Sequence, residues 1–343
     1  MKKYGLILFL FVWGILLGVC FARAGEEPVR IFAVQVSGDA EKKLTYLEGN
    51  VRIVQGKTII TTEYVTIDLD HKKAVLDKGT HLENPDVAID SRRLEYSLKQ
   101  KTGTFREQVR LKRIESGDAV KKDPFELSAA ELYFETDTKN FKASGDCRLK
   151  HKQFEGKAGR IEYDDAGQKL AFQGHGVISQ KETEIKSESA TIDMQAKQLQ
   201  IETKTSLTSR EIKISAEGLT YNYEQKTGIF PKTVVLTRSE VKNAKGKVTK
   251  EPFTLKAAGL YFETESNNFT AEDGHMEHQE FTGSADKIEY DDKQQLLTFK
   301  GNARLTRTEG EELNGELIVI NLRDQCFTVH QKGTVSLKIQ EEK

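Results

Sequence analysis

Residues 283–307 read GSADKIEYDDKQQLLTFKGNARLTR, and residues 156–180 read GKAGRIEYDDAGQKLAFQGHGVISQ. In each, two apolar residues stand two apart (Ile288 and Tyr290, Ile161 and Tyr163), polar residues flank them, and Asp-Asp follows. Alternation of that kind marks a strand with one buried face, and Asp favours the turn after it. Further apolar positions follow at Phe299 and Leu305, and at Phe172 and Ile178, with a glycine between the two. The stretch therefore reads as about three short strands separated by turns.

The pattern is not confined to these two places. KTGTF at Lys101 recurs as KTGIF at Lys226, and AELYFETDTKNF at Ala130 recurs as AGLYFETESNNF at Ala258. With Arg160 answered by Lys287, the offsets are 125, 128 and 127, so a block was duplicated as a whole, about 58–184 and 185–311, with a terminal repeat after it. A shorter period lies inside the block. The anchors Ile67, Tyr96, Phe134, Tyr163, Ile192, Tyr221, Phe262, Tyr290 and Ile320 are spaced 29, 38, 29, 29, 29, 41, 28 and 30 residues apart. The two long spacings contain KRIESGDAVKKDPF and TRSEVKNAKGKVTKEPF, which read as enlarged loops at equivalent places. A degenerate tenth copy falls around Val34 to Ile53. Units of this size cannot bury their apolar face alone and must stack on their neighbours.

The N-terminus is a different object. Lys2 and Lys3 precede an apolar run from about Ile7 to Val19, and Ala22-Arg23-Ala24 follows. That is the layout of an export signal, residues 1–24, which leaves 25–343 as the mature chain. An uncleaved anchor and a lipoprotein-type Cys20 are the alternatives, and all three place the body outside the cytoplasm. Of the cysteines, Cys147 and Cys326 remain after cleavage, many units apart, so no bridge between them is expected.

With 52 basic and 53 acidic side chains the chain has no basic excess for nucleic acid. At 37% hydrophobic and 31% charged, it suits a thin two-layer β structure. Candidate chemistry is sparse. Asp164-Asp165 and Asp291-Asp292 could pair carboxylates, but equivalent steps hold Ser97, Asn222 and Asn321, so they read as turn residues. His275 and His278 flank Glu277, but residues three apart on a strand face opposite ways and make poor co-ligands. No phosphate loop, nucleophile elbow or Cys/His cluster is present, so neither an enzyme nor a cofactor or metal site is expected. The enlarged loops carry Lys112, Arg113, Lys121 and Lys122, and Arg238, Lys242, Lys245, Lys247 and Lys250, which read as solvated loop residues or as contacts for lipid phosphates.

The run Leu47 to Leu76, LEGNVRIVQGKTIITTEYVTIDLDHKKAVL, and the two stretches quoted first resemble the OstA-like periplasmic proteins of lipopolysaccharide transport (LptA/LptC-like) across essentially the whole mature chain. The resemblance implies an all-β, elongated open β-jellyroll of about ten ~29-residue repeats, with two facing antiparallel sheets and an apolar trough between them. It implies a periplasmic bridge that takes lipopolysaccharide by its acyl chains from an inner-membrane ABC exporter to an outer-membrane translocon, with end-to-end self-association through edge strands. The chain departs from the pattern in its doubled length, which leaves open a soluble bridge, a membrane-proximal subunit or an accessory paralogue. The lining would be the anchor column and the residues two before it: Ile67, Tyr96, Leu132, Phe134, Ile161, Tyr163, Ile192, Tyr221, Leu260, Phe262, Ile288, Tyr290 and Ile320. A structural β-repeat protein or adhesin of the envelope that carries nothing is the competing reading. An exported enzyme acting on a polymer fits less well, for want of a convergent polar cluster.

Overall fold

The ~29-residue period is visible in the backbone. A computed structural model describes residues 28–114, 122–308, 310–330 and 333–336, together with the backbone of 19–21. The export segment 1–24 lies outside these residues except for Val19–Phe21, a strand paired with Val29–Phe32. Residues 115–121 of the first enlarged loop, Lys121 included, also lie outside them. Every regular element among the described residues is a strand, and neighbouring strands pair antiparallel. The chain is an all-β, antiparallel jellyroll of stacked repeats.

Each repeat contributes one turn of four or five residues with a left-handed residue at or next to its end: Lys43, Lys72, Lys101, Lys139, Gln168, Lys197, Lys226, Asn267, Gln295 and Gln325. Their spacing reproduces the anchor spacing and includes the degenerate first copy. Between turns, the structure differs from the expected three short strands. Leu44–Gln55 and Thr58–Asp68 are two long strands, each bent in the middle, and the same holds for Phe141–His151 and Glu155–Asp164. The glycine that reads as a turn is the bend. Gly49-Asn50, Gly145-Asp146, Gly174-His175 and Gly301-Asn302 are consecutive left-handed pairs, φ 79° and 48° at the first. Pairing slips across them, for example between Glu48 and Val51. Glycine enters this region freely, and Asn, Asp and His enter it more readily than other residues. The bend sends the two halves of one strand into two facing layers.

A Cβ at Gly301 (φ 72°) would stand 2.6 Å from Asp286 Oδ2, an atom that accepts a hydrogen bond from Asn302 Nδ2 at 2.9 Å. Gly301→Ala is expected to lose about 1–2 kcal/mol from left-handed strain alone, read as a lowered urea midpoint. A neutral result would mean that the bend does not need glycine.

Contacts group the chain into two compact units. The first is Met1–Lys121 with Ala129–Lys139, and the second is Lys122–Ser128 with Asn140–Lys343. In the first, inward residues of both layers, such as Leu47, Ile53, Ile60, Leu82 and Phe105, are buried. In the second, rings reach from one layer to the other: Phe172 occupies the space beside Gly156, and Phe299 the space beside Gly283. The second enlarged loop forms a small hairpin, Val241–Lys242 with Val248–Lys250, whose turn is held by Asn243 Oδ1 accepting the Lys245 and Lys247 amides.

Candidate functional site

All thirteen residues of the expected lining point inward and are at most 6% exposed. In each unit they belong to the layer that carries the repeat turns, so there the column forms one of the two walls. The other wall is supplied by residues such as Ile53, Ile60, Ile178, Ile185 and Leu207. Burial of the tyrosines leaves their hydroxyls needing partners. Tyr96 donates to Gln55 Oε1 at 3.1 Å and Tyr221 to Gln180 Oε1 at 2.8 Å, while Tyr290 donates to Asp292 Oδ1 at 3.0 Å. Burial pushes the Tyr96 hydroxyl up to about 12, so it stays a donor at any ordinary pH.

The space between the walls is open in the first unit. In the first unit a cavity of about 340 Å³ is lined by Ile31, Val36, Thr45, Leu47, Ile67 and Leu69, among others. Val34, 78% exposed, with Val36 and Leu69, presents apolar surface to solvent close by in sequence. In the second unit, the cavity beside Ile192 and Tyr221 holds only about 10 Å³ and that beside Ile320 about 20 Å³. Those are no larger than a water needs.

Opposite the bends, the turns of the two layers face each other across a seam, and polar side chains bridge it repeatedly. In the first unit Gln55 Nε2 donates to the Leu98 carbonyl at 2.8 Å, and Asn84 Nδ2 to the Thr136 carbonyl at 3.3 Å. Asp86 takes Lys139 at 2.5 Å and the buried Arg113 at 3.1 Å. In the second unit, Gln180 Nε2 donates to the Tyr223 carbonyl at 2.6 Å and Ser209 to the Thr264 carbonyl at 3.2 Å. Lys122 pairs with Asp165, Lys197 with Asp123 at 2.5 Å, and Lys250 with Asp292 at 2.5 Å. Burial alone would raise the Asp123 carboxyl, but Lys152 and Lys197 outweigh it and hold it down at about 2.

This changes the reading of the basic loop residues. Arg113 and Arg238 are among the most buried side chains of the described chain, and Lys122 and Lys250 are engaged by carboxylates. Lys242, Lys245 and Lys247 remain on the exposed hairpin. The second aspartate of each Asp-Asp pair is not a plain turn residue: Asp165 and Asp292 are buried, and their amides donate to Asn140 and Asn268 at 2.9 and 3.0 Å. The signal that could have revealed this is Lys-Asp-Pro-Phe at 122–125 answered by Lys-Glu-Pro-Phe at 250–253. The cavity residues Val36 and Leu69 left no such trace, because they belong to the most degenerate copy and to a turn.

His278 is buried while His275 is exposed, as opposite strand faces require. Glu251, His278 and Glu280 bring one ligand atom each within 4.8 Å of one another. The Glu280 amide donates to His278 Nδ1 at 3.3 Å, which leaves the proton on Nε2, 3.0 Å from Glu251. A protonated Nε2 is not a metal ligand, and here it lies within ion-pair distance of Glu251 without making a hydrogen bond to it. His151 repeats the arrangement: Nδ1 accepts the Gln153 amide at 3.3 Å, Nε2 lies 3.7 Å from Asp123, and burial pushes it down to about 4. The described cysteines form no disulfide, with Cys147 buried and Cys326 exposed.

In each unit, bent strands form two layers around an apolar interior, and polar side chains bridge the layers, as in an antiparallel β-jellyroll. The sequence profile of the LptA/(LptD N-terminal domain) LPS transport proteins matches residues 30–198 and 184–326, and the chain belongs to that lipopolysaccharide-transport family. Among solved structures, it is similar to LptH from Pseudomonas aeruginosa, described as the LptA homologous periplasmic component of the conserved lipopolysaccharide transport device. The identity is 16% and the TM-score 0.22, over 43% of this chain and 83% of that one. No curated protein matches the chain.

Proposed function

We propose that the chain is a periplasmic carrier that holds lipopolysaccharide by its acyl chains and passes it from an inner-membrane ABC exporter toward an outer-membrane translocon. The observation that supports this reading most directly is the open apolar cavity between the layers in the first unit. Ile31, Leu47 and Ile67 line it, and Ile67 begins the buried column. Each acyl methylene taken from water there contributes about 0.8 kcal/mol without any directional contact. The column therefore needs no specific pocket. Strands with few partners remain at both ends of the described chain, since Gln35–Asp39 pairs with Leu44–Gln55 and Cys326–His330 with Glu312–Asn321. Their free edges are where copies or partner jellyrolls would add.

With p-benzoylphenylalanine in place of Val36, ultraviolet illumination of the full chain with lipopolysaccharide is expected to give a covalent adduct. Placed at the exposed hairpin residue Lys245, the same probe is expected to give none. Equal labelling at both positions, or none at Val36 in a chain with an intact β spectrum, would remove the carrier reading. The competing structural reading is favoured by one observation, the filled interior of the second unit, and the same experiment separates the two.

A further inference from the structure

Resting on the carrier reading, the question is how cargo would reach an interior that is filled. In the second unit the same constellation occurs twice at the seam. Lys122 holds Asp165, whose amide donates to Asn140; Lys250 holds Asp292, whose amide donates to Asn268. Behind each pair lies a trio of rings. Phe125 comes from one layer and stands 6.1 Å from Phe141 and 5.3 Å from Tyr163, both on the other layer. Phe253 stands 6.0 Å from Phe269 and 5.7 Å from Tyr290 in the same way. The offsets are 128 for Lys122, Phe125, Asn140 and Phe141, and 127 for Tyr163 and Asp165. The whole arrangement was kept in both copies, while the neighbouring position changed from Gln153 to Glu280.

We propose that Lys122–Asp165 and Lys250–Asp292 are the locks of a lateral gate, and that the aromatic trio behind each is an acyl-chain site reached when its lock parts. The physical reason is the contrast between the two kinds of contact. A buried ion pair gains little net over its separated, hydrated ions, because desolvation cancels most of the attraction. Parting the lock into water is therefore inexpensive. Parting the rings exposes apolar surface, which is unfavourable unless another apolar group covers it. The seam thus stays shut in water and opens when an acyl chain takes the place of the opposite ring. In the second copy Arg238 stacks on Phe253 at 4.3 Å and lies 3.8 Å from Asp292, and Glu211 holds Lys250 at 2.9 Å. Arg238 pairs with Phe253 in its own layer, so its contact with Asp292 crosses the seam and is part of the lock, while Glu211 would remain the partner of Lys250 after opening.

The test ties the lock shut reversibly. In the full chain carrying Cys20→Ser, Cys147→Ala and Cys326→Ser, the pair Lys250→Cys and Asp292→Cys is bridged by a reducible bifunctional methanethiosulfonate. The photoprobe replaces Phe269. Lipopolysaccharide adducts at 269 are expected to fall about tenfold or more when the lips are tied, since only the open state admits cargo. They are expected to return on reduction of the same sample, which excludes misfolding. Asp292→Asn without a tie is expected to raise them several-fold. Equal adducts tied and reduced would overturn the gate, and so would adducts at 36 with none at 269 in any state; both outcomes leave the carrier reading standing. Absence of adducts at 36 and at 269 alike would remove that reading and the gate with it.

Discussion

Asp86→Ala is expected to destabilise the first unit by about 3–5 kcal/mol, the range for removing one partner of a buried ion pair. Asp86 sits in the turn between Thr80–Asn84 and Val87–Ser91, and its carboxylate meets Arg113 at 3.1 Å and Lys139 at 2.5 Å. Lys139 is about one-fifth exposed and can turn to water, but the Arg113 side chain is 1% exposed and cannot. Alanine at 86 would leave that guanidinium in an apolar interior without its carboxylate. Asp86→Asn keeps an acceptor and should cost less. Adding Arg113→Met to Asp86→Ala should recover most of the loss, because an apolar pair of similar volume is as good as a buried ion pair or better. The measurement is hydrogen exchange of the amides in Val87–Ser91 and Thr102–Arg113, which reports the opening free energy of that unit alone. A loss below about 1 kcal/mol would place this pair with exposed ones, which contribute that little.

The same residues show how far the sequence could be read. The period, the antiparallel class and the inward column were legible because strand alternation and a turn every ~29 residues are local signals. The internal form of the unit was not. Gly-Asn encodes two left-handed residues, and that preference serves equally for a hairpin turn and for a bend within one strand. Only pairing on both sides of Gly49-Asn50 distinguishes them. Fifteen residues after the anchor stand Leu149 and Ile178 in neighbouring units but Glu277 after Phe262, and the cause is similar. Phe269–His278 has ten residues where Phe141–His151 has eleven, so the bend is one residue shorter and Met276 takes the inward position. Counting from a fixed anchor cannot see a deletion at a bend. Arg113, Arg238, Asp165 and Asp292 read as loop and turn residues for another reason. A charged residue beside a loop looks solvated until its partner, many tens of residues away, is brought across the seam.

Phe172→Ala is expected to cost about 3–5 kcal/mol, as for other fully buried phenylalanines. The ring is wholly buried, and its Cε1 lies 2.4 Å from where a Cβ on Gly156 would stand. Glycine at 156 is therefore the seat of a ring from the opposite layer, and Gly156→Ala should cost about 1–3 kcal/mol by overpacking. The two substitutions act on one space, so together they should cost less than their sum, by about 0.5–3 kcal/mol of coupling. Urea unfolding of the two single variants and the double variant measures the coupling directly, and strict additivity would show that ring and glycine do not share the space. Phe299 and Gly283, 127 residues later in the sequence, repeat the arrangement at 2.7 Å and should behave alike. The coupling also bears on cargo. A ring seated against the opposite backbone occupies the volume an acyl chain would need, so a carrier of this build must move the ring or part the layers. If lipopolysaccharide binds the Phe172→Ala chain more tightly than the natural one despite the lost stability, the vacated seat is part of its path.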